Sequence, residues 1–573
     1  VAKVHPKHRL NKLAVSMFRE KSGQLRFPLF VLVLSKLKKK NSQINIRSMT
    51  KHHFLLIPIL SFCLSLTAQH RNILVDNSGG ADEPSICIDP KNPSRLVAGT
   101  NIFNVYYSSD SGQTWTKKRQ TSSFGVYGDP VIACDTAGAF YHFHLSNPAF
   151  GSWIDRIVCQ KSTDGGRTWN DGSFMGLSGT KNQDKEWVAI DRRNNAIYAT
   201  WTQFDKYESR DPQDSSHILF SKSTDGGTTW SPAYRLDKQG GDCLDDDNTV
   251  EGAVPAIGPN GEVYVAWASP LGLVFNKSVD GGATWLPRER LIAPIGGGWS
   301  YDIPGIFRCN GLPFTFIDTC RRSPFFGTIY VNWSDQKNGA TNTDIWLAKS
   351  SDGGNTWSQP RRVNNDASNR QQFMCSMAVD QANGHLWFVF YDRRSYTTDS
   401  TDVYMAVSRD GGESFHNFKV SEQAFKPNKS SFFGDYTHVA AHNNVVRPIW
   451  TAMNSAGSKS IYTALIDVPS LRVYTEGESK SREITKTTCF PNPVDNQLFV
   501  QFDLKKSAKL SLRLFDTSGK LIHTAFEKKS FTPGRFEEMI DMRLLNLPTG
   551  IYNYVIENRH GRPLATNRFV FVP

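Results

Sequence analysis

The stretch SSDSGQTW at residues 108–115 returns five times. It reads STDGGRTW from Ser162, STDGGTTW from Ser223, SVDGGATW from Ser278, SSDGGNTW from Ser350 and SRDGGESF from Ser408. Successive aspartates of this box lie 54, 61, 55, 72 and 58 residues apart. A unit of this size cannot bury a core alone, so neighbouring units must stack. Between boxes run short segments of alternating apolar residues, such as NNAIYATWTQ and GEVYVAWAS, parted by Gly, Asn and Asp. Alternation of this kind marks strands. Three or four strands per repeat predict an all-β chain built as a β-propeller.

Seven units are countable. Their inner strands begin near Glu83, Asp129, Lys185, Gly252, Pro313, Phe373 and Tyr436. The seventh has no box and lacks an outer strand. The segment RNILVDN (71–77) is suited to supply that strand and close the ring, which removes an exposed edge. The irregular fifth unit leaves six blades as the alternative.

Every residue type in the box has a mechanical use. Asp accepts hydrogen bonds from turn N–H groups, the glycines permit positive φ, and Trp opens the next strand with a large buried ring. Asp110, Asp164, Asp225, Asp280, Asp352 and Asp410 are therefore read as structural joints. A catalytic constellation is not copied six times; a turn is copied in every blade.

S-x-D-x-G-x-x-W is the Asp box, or BNR repeat, and about residues 83–467 of the predicted propeller domain 69–467 resemble the sialidase-like Asp-box propellers. The resemblance implies action on glycans, with an arginine triad for a substrate carboxylate and a tyrosine nucleophile. The Arg-Ile-Pro motif of that family has no counterpart. The matching region reads DEPSICID, and the nearest look-alike is YDIP at 301–304. No catalytic residue transfers.

Site candidates therefore come from propeller geometry. Loops entering the inner strands and loops between second and third strands gather on one face. They carry Asp129, Glu186, Glu251, Asp392, Arg393, Asp435 and Tyr436, which are the candidate catalytic residues. Asp184, Asp205, Asp335 and Arg394 lie in the same loops. Paired carboxylates suit a glycosidase. The alternatives are a non-catalytic propeller that binds surface glycans or proteins, and strand-end capping of the channel. No cofactor is required. Ca²⁺ is the one possible ion, at this ring or at DCLDDDNTVE (242–251), since converging carboxylates suit it. Trp201, Trp267, Trp333 and Trp450 end their strands equivalently, which suits packing between blades better than sugar stacking.

The formal charge of +12 is misleading. Residues 1–48 hold twelve Lys and Arg against Glu20 alone, and beyond residue 68 acids and bases balance. Nucleic acid is not an expected partner. Met49 opens a basic start, an apolar run from Phe54 to Leu66 and a small-residue end at Ala68, the pattern of a signal peptide over 49–68. Residues 1–48 read as an over-extended gene start or a basic leader, with FPLFVLVL (27–34) as a short anchoring alternative. Without the leader no transmembrane span is expected. Eight cysteines follow the signal. Cys309 and Cys320 share a loop and are the best disulfide candidates; Cys87, Cys134 and Cys375 read as buried thiols.

After Asp467 the pattern stops. Residues 468–486 are polar and read as a linker. Short alternating strands then predict a small β-sandwich over 487–573. FPNPV, LFDTSGK and LPTGIY, in that order, resemble the type IX secretion (Por) C-terminal sorting domain. That resemblance implies a secreted or surface-attached protein that partners the type IX machinery, while the propeller resemblance implies a glycan as substrate or ligand.

Overall fold

The computed structural model describes residues 70–573 except 297, 469–470, 472–483, 517–519, 560 and 562. The basic leader, the signal-peptide segment and most of the linker lie outside the described residues.

Seven four-stranded antiparallel sheets follow one another along the chain to residue 465. Their innermost strands are Ser85–Ile88, Val131–Cys134, Asn182–Ile190, Glu251–Ile257, Phe314–Ile317, Gln372–Asp380 and His438–His442. Each inner strand lies against the next, and the last lies against the first. This is a closed ring of seven blades about a central channel. The outer strand of the seventh blade is Arg71–Gly79, which pairs antiparallel with Lys459–Leu465 from Arg71↔Leu465 to Gly79↔Lys459. The first strand of the propeller thus completes its last blade and covers the edge of Lys459–Leu465.

The boxes are the outer joints. In the third blade the Ser223 hydroxyl donates to Asp225 Oδ1 at 2.8 Å and accepts the Gly227 amide at 2.9 Å. Asp225 Oδ1 also accepts the amides of Thr228 and Thr229 at 3.0 and 2.9 Å, while Oδ2 accepts the Thr229 hydroxyl at 2.6 Å. The other five boxes repeat this pattern around Asp110, Asp164, Asp280, Asp352 and Asp410. These bonds hold all six carboxyls below the ordinary aspartate range.

Neighbouring joints are tied by the residue that precedes the box serine. Lys161, Lys222, Lys277 and Lys349 donate to the carbonyls of Gly226, Gly281, Gly353 and Gly411 in the following blade, at 3.5, 2.9, 2.6 and 2.8 Å. The sixth box has Val407 there, and the seventh blade offers it no box to reach. From the seventh blade, Arg447 Nε donates to Ser111 O in the first box at 2.8 Å.

Trp201, Trp267, Trp333 and Trp450 are buried, with Trp387, between the blades. Truncating a ring so enclosed costs about 3–5 kcal/mol. Cys309 and Cys320 are free, buried thiols, contrary to the expected bridge. Cys309 sits in the ribbon Ser300–Tyr301/Cys309–Asn310 and packs in the cluster with Phe373 and Tyr391. Cys320 is fixed in a turn, where its amide donates to Asp318 at 2.8 Å.

From Ile484 the chain forms a separate two-sheet sandwich. Ile484–Phe490, Gln497–Leu504 and Gly534–Asp541 make one sheet. Ala508–Asp516, Leu521–Phe531, Gly550–Asn558 and Pro563–Phe571 make the other. Both sheets feed one core that includes Val500, Phe502, Leu512, Tyr554 and Phe569. No helix among the described residues is long and apolar enough to cross a membrane.

Candidate functional site

The inner strands begin on what we call the front face. At five of the seven starts the backbone turns left-handed: Glu83 (φ 47°), Asp129 (46°), Lys185 (50°), Gly252 (69°) and Met374 (46°). In three of these blades the strand register slips beside that residue, between Asp184 and Trp187, between Glu251 and Val254, and between Phe373 and Ser376. A bulge re-aims the side chains around it. A non-glycine residue at positive φ is strained, and such strain clusters at functional sites.

Those bulges surround one lysine. The Lys185 ammonium lies 3.0 Å from Asp435 Oδ2 and 3.6 Å from Asp129 Oδ2, with the Tyr436 ring centre at 5.4 Å. Arg308 grips Asp435 from the other side, with Nε donating to Oδ1 at 2.9 Å and Nη2 donating to Oδ2. Its Nη1 donates to Asp245 Oδ2 at 2.8 Å, and the Tyr207 hydroxyl donates to the same oxygen at 2.6 Å. Glu83 accepts the Asp435 amide at 3.1 Å and a bond from the Asn101 side chain, which in turn accepts the Asp129 amide at 2.9 Å.

Seven carboxyl groups thus meet two cations: Glu83, Asp129, Asp184, Glu186, Asp245, Glu251 and Asp435 against Lys185 and Arg308. The surroundings push these carboxyls apart. Burial, then repulsion from Asp129, holds Glu186 well above the usual carboxylate range. Burial, then Asp245, does the same to Glu251. Glu83 and Asp184 are raised by burial and by Asp129. Burial would also raise Asp435, but Lys185 and Arg308 overcome it and keep its pKa low. Lys185 is likewise kept charged by Asp129 and Asp435 against its burial. Both Glu186 oxygens, Glu251 Oε2 and the Tyr436 hydroxyl are buried without a hydrogen-bond partner among the described residues. Buried polar groups are normally satisfied, so these four atoms are where a ligand or water belongs.

Aromatic rings rim the cluster. Trp153, 40% exposed, packs edge-on against Tyr207 at 5.6 Å and Tyr127 at 5.7 Å. It precedes Ile154, a β-branched residue at φ 46°. Across the face Phe307 meets Phe432 at 6.1 Å, and Arg308 lies over the Phe432 ring at 5.2 Å.

Of the seven candidates, the structure brings together Asp129, Glu186, Glu251, Asp435 and Tyr436. Asp392 and Arg393 sit apart. Asp392 ends the second strand of the sixth blade opposite Gln372 and Asp402. It accepts from Gln372 at 3.2 Å and from Arg394 Nε at 2.8 Å, inside a polar network between the fifth and sixth blades. Arg393 is fully buried, donates from Nε to Thr401 at 3.0 Å and lies 5.2 Å from the Phe373 ring centre. Both stand at a strand end, but their partners lie within the sheet and hold them away from the cluster around Lys185.

Sequence reasoning missed Lys185, Arg308, Tyr207 and Asn101 as site residues, and placed Asp245 only within the acidic run 242–251. Lys185 had a readable signal, a lysine between two acids at a strand start. Arg308 had none, because it comes from the irregular segment that stretches one repeat to 72 residues. The acidic run 242–251 is divided. Asp245 joins the cluster, whereas Asp242 accepts from Thr249, Asp246 from Asn248 and Asp247 from Ser300. No three His, Cys, Asp or Glu among the described residues are arranged to hold a metal ion.

Residues 488–570 match the secretion system C-terminal sorting domain. That tail assigns the chain to type IX secretion, at the cell surface or outside the cell. No curated protein matches the chain. Among solved structures the Hadza microbial sialidase Hz136 is 13% identical, with 65% of this chain and 73% of that one covered at a TM-score of 0.37. The Penicillium chrysogenum alpha-L-arabinanase complexed with arabinobiose is 12% identical, covering 69% and 97% at 0.38. A polysaccharide lyase of family PL25, an ulvan lyase, is 12% identical, covering 69% and 96% at 0.41. The propeller assignment rests on the strand pairing described above.

Proposed function

We propose that the propeller is an exported glycoside hydrolase whose front-face cluster acts on a neutral or amino sugar. The observation that carries this is the pairing of opposites around Lys185. Burial and then Asp129 push the Glu186 carboxyl up, whereas Lys185 and Arg308 hold Asp435 low against its burial. Two carboxyl groups whose environments drive them apart are the arrangement of a general acid beside a charged partner. Glu186 is the proton donor to the leaving oxygen. Asp435, fixed by Lys185 and Arg308, faces the positive charge that develops on the sugar ring. Trp153, Tyr127 and Tyr207 supply apolar faces for sugar stacking.

The charge balance selects the substrate. Both cations of the cluster are already gripped by carboxylates, so a sugar acid would meet surplus negative charge. This reading departs from sialic acid, although it keeps glycans as the target class.

The test is release of chromophore from a panel of neutral, amino and sialic acid glycosides by the exported chain and its Glu186→Gln variant. The proposal expects turnover of a neutral or amino glycoside, with loss of about 10²–10⁴-fold in the variant. Preference for the sialoside, or an unaffected variant, would contradict it. The burial of Glu186 and Glu251 favours a second reading, a propeller that binds glycans without cleaving them. Saturable binding of the same sugars without turnover would select that reading.

A further inference from the structure

The channel does not run through. Trp187 packs against Phe314 at 4.9 Å, His438 at 5.2 Å and Tyr436 at 5.9 Å. Trp187 and Val254 line the small front pocket on one side and a second chamber on the other. That chamber opens at the back face, where the inner strands end, and measures about 440 Å³. Cavities that enclose small organic ligands span roughly 300–1,000 Å³.

Its wall is apolar. Ile86, Val131, Val188, Val254 and Phe316 come from successive inner strands, and Phe326, 43% exposed, stands among the lining residues. Its charge is opposite to that of the front. The lining carries Arg192, Arg193 and Arg321 against one carboxylate, Asp191. Asp191 is taken by Arg193 at 2.7 Å. Arg192 and Arg321 are exposed and are held by no close ion pair among the described residues, although the Asp380 carboxylate acts on Arg192. His442 Nδ1 is also buried without a partner. Thr319 and Gln381, which bond to each other, add polar edges.

An apolar chamber with two exposed guanidinium groups has a definite complement. An arginine fork matches a carboxylate or sulfonate head, and the wall matches a hydrocarbon or aromatic body. We propose that the back chamber is a binding site for an amphipathic organic monoanion, with its acid head on Arg192 and Arg321 and its apolar body against the inner strands. The site is independent of the front-face reading, because the aromatic plug separates the two.

The experiment titrates the intact chain with 8-anilinonaphthalene-1-sulfonate and reads its fluorescence. Decanoate serves as charged competitor and decanol as uncharged control. The proposal expects one saturable site that decanoate empties and decanol does not. Arg192→Gln should weaken binding by about tenfold or more, the value of one charge-assisted contact. Arg192→Lys should restore part of it, and Glu186→Gln at the front should leave it unchanged. Non-saturable binding, equal displacement by decanol, or binding indifferent to both Arg192→Gln and Arg321→Gln would overturn it. Circular dichroism of each variant separates loss of the site from loss of the fold.

Discussion

The two ends of the channel are built from the same seven strands and have opposite chemistry. At the front the strands begin in bulges, and Glu83, Asp129 and Lys185 adopt left-handed backbone. Carboxyl groups crowd there around Lys185 and Arg308. At the back, apolar side chains and three arginines line an open chamber. The blade repeat therefore does not dictate charge. It supplies equivalent positions, and each end fills them differently. At the front the left-handed residues sit at strand starts beside buried carboxyls, whereas at the back they are asparagines in the turns, Asn195, Asn443 and Asn444.

The comparison breaks most sharply at Glu186. Glu186→Gln should cost the front about 10²–10⁴-fold in glycoside turnover and leave anion binding at the back unchanged. Equal effects at both ends would mean that the ends are one site.

Next in size is stability. Lys185→Met leaves Asp435 and Asp129 buried with less countercharge, and breaking a buried pair costs about 3–5 kcal/mol. Arg192→Gln at the back breaks no close ion pair and should stay within about 0.5 kcal/mol of the parent. Urea unfolding of the two variants measures the contrast.

The pH dependence has a defined sign. Glu186 has a folded pKa raised above its unfolded value. Its stabilising contribution is full below the unfolded pKa and is lost as pH rises through the folded one. Glu186→Gln should flatten the fall in Tm between mildly acidic and alkaline pH. The box carboxyls behave oppositely, since their folded pKa values are depressed. Their contribution is present above the ordinary aspartate range and is lost as pH falls toward about 2, the value to which Asp110 and Asp164 are lowered.

The smallest effect lies at the rim. Lys277→Met removes the 2.6 Å bond to Gly353 O in the next blade and should cost about 1 kcal/mol. Val407→Lys in the sixth blade should gain nothing, because no box follows.

These differences mark how far the sequence is legible. The ring is readable because the box and the alternation state it repeatedly, and 71–77 announces its role by being an extra strand before the first unit. The lysine ties were equally readable in K-S-x-D-G-G but have meaning only once the next box is known to stand beside them. Asp129, Glu186, Glu251, Asp435 and Tyr436 could be found because strand starts fall on one face. Asp392 and Arg393 shared that logic and sit elsewhere, since in-sheet partners aim them. Arg308 reaches the cluster from an irregular segment where periodicity gives no address. The back chamber left no motif at all, because it is made of what the inner strands do not fill.

The central claim is that the front holds a protonated carboxyl beside an ionised one at neutral pH. Infrared spectroscopy of the intact chain and of Glu186→Gln tests it directly, whatever the substrate. The account predicts a protonated-carboxyl band at neutral pH that weakens in the variant while carboxylate absorption stays the same. A parent spectrum without that band, or a variant that loses carboxylate absorption instead, would contradict it.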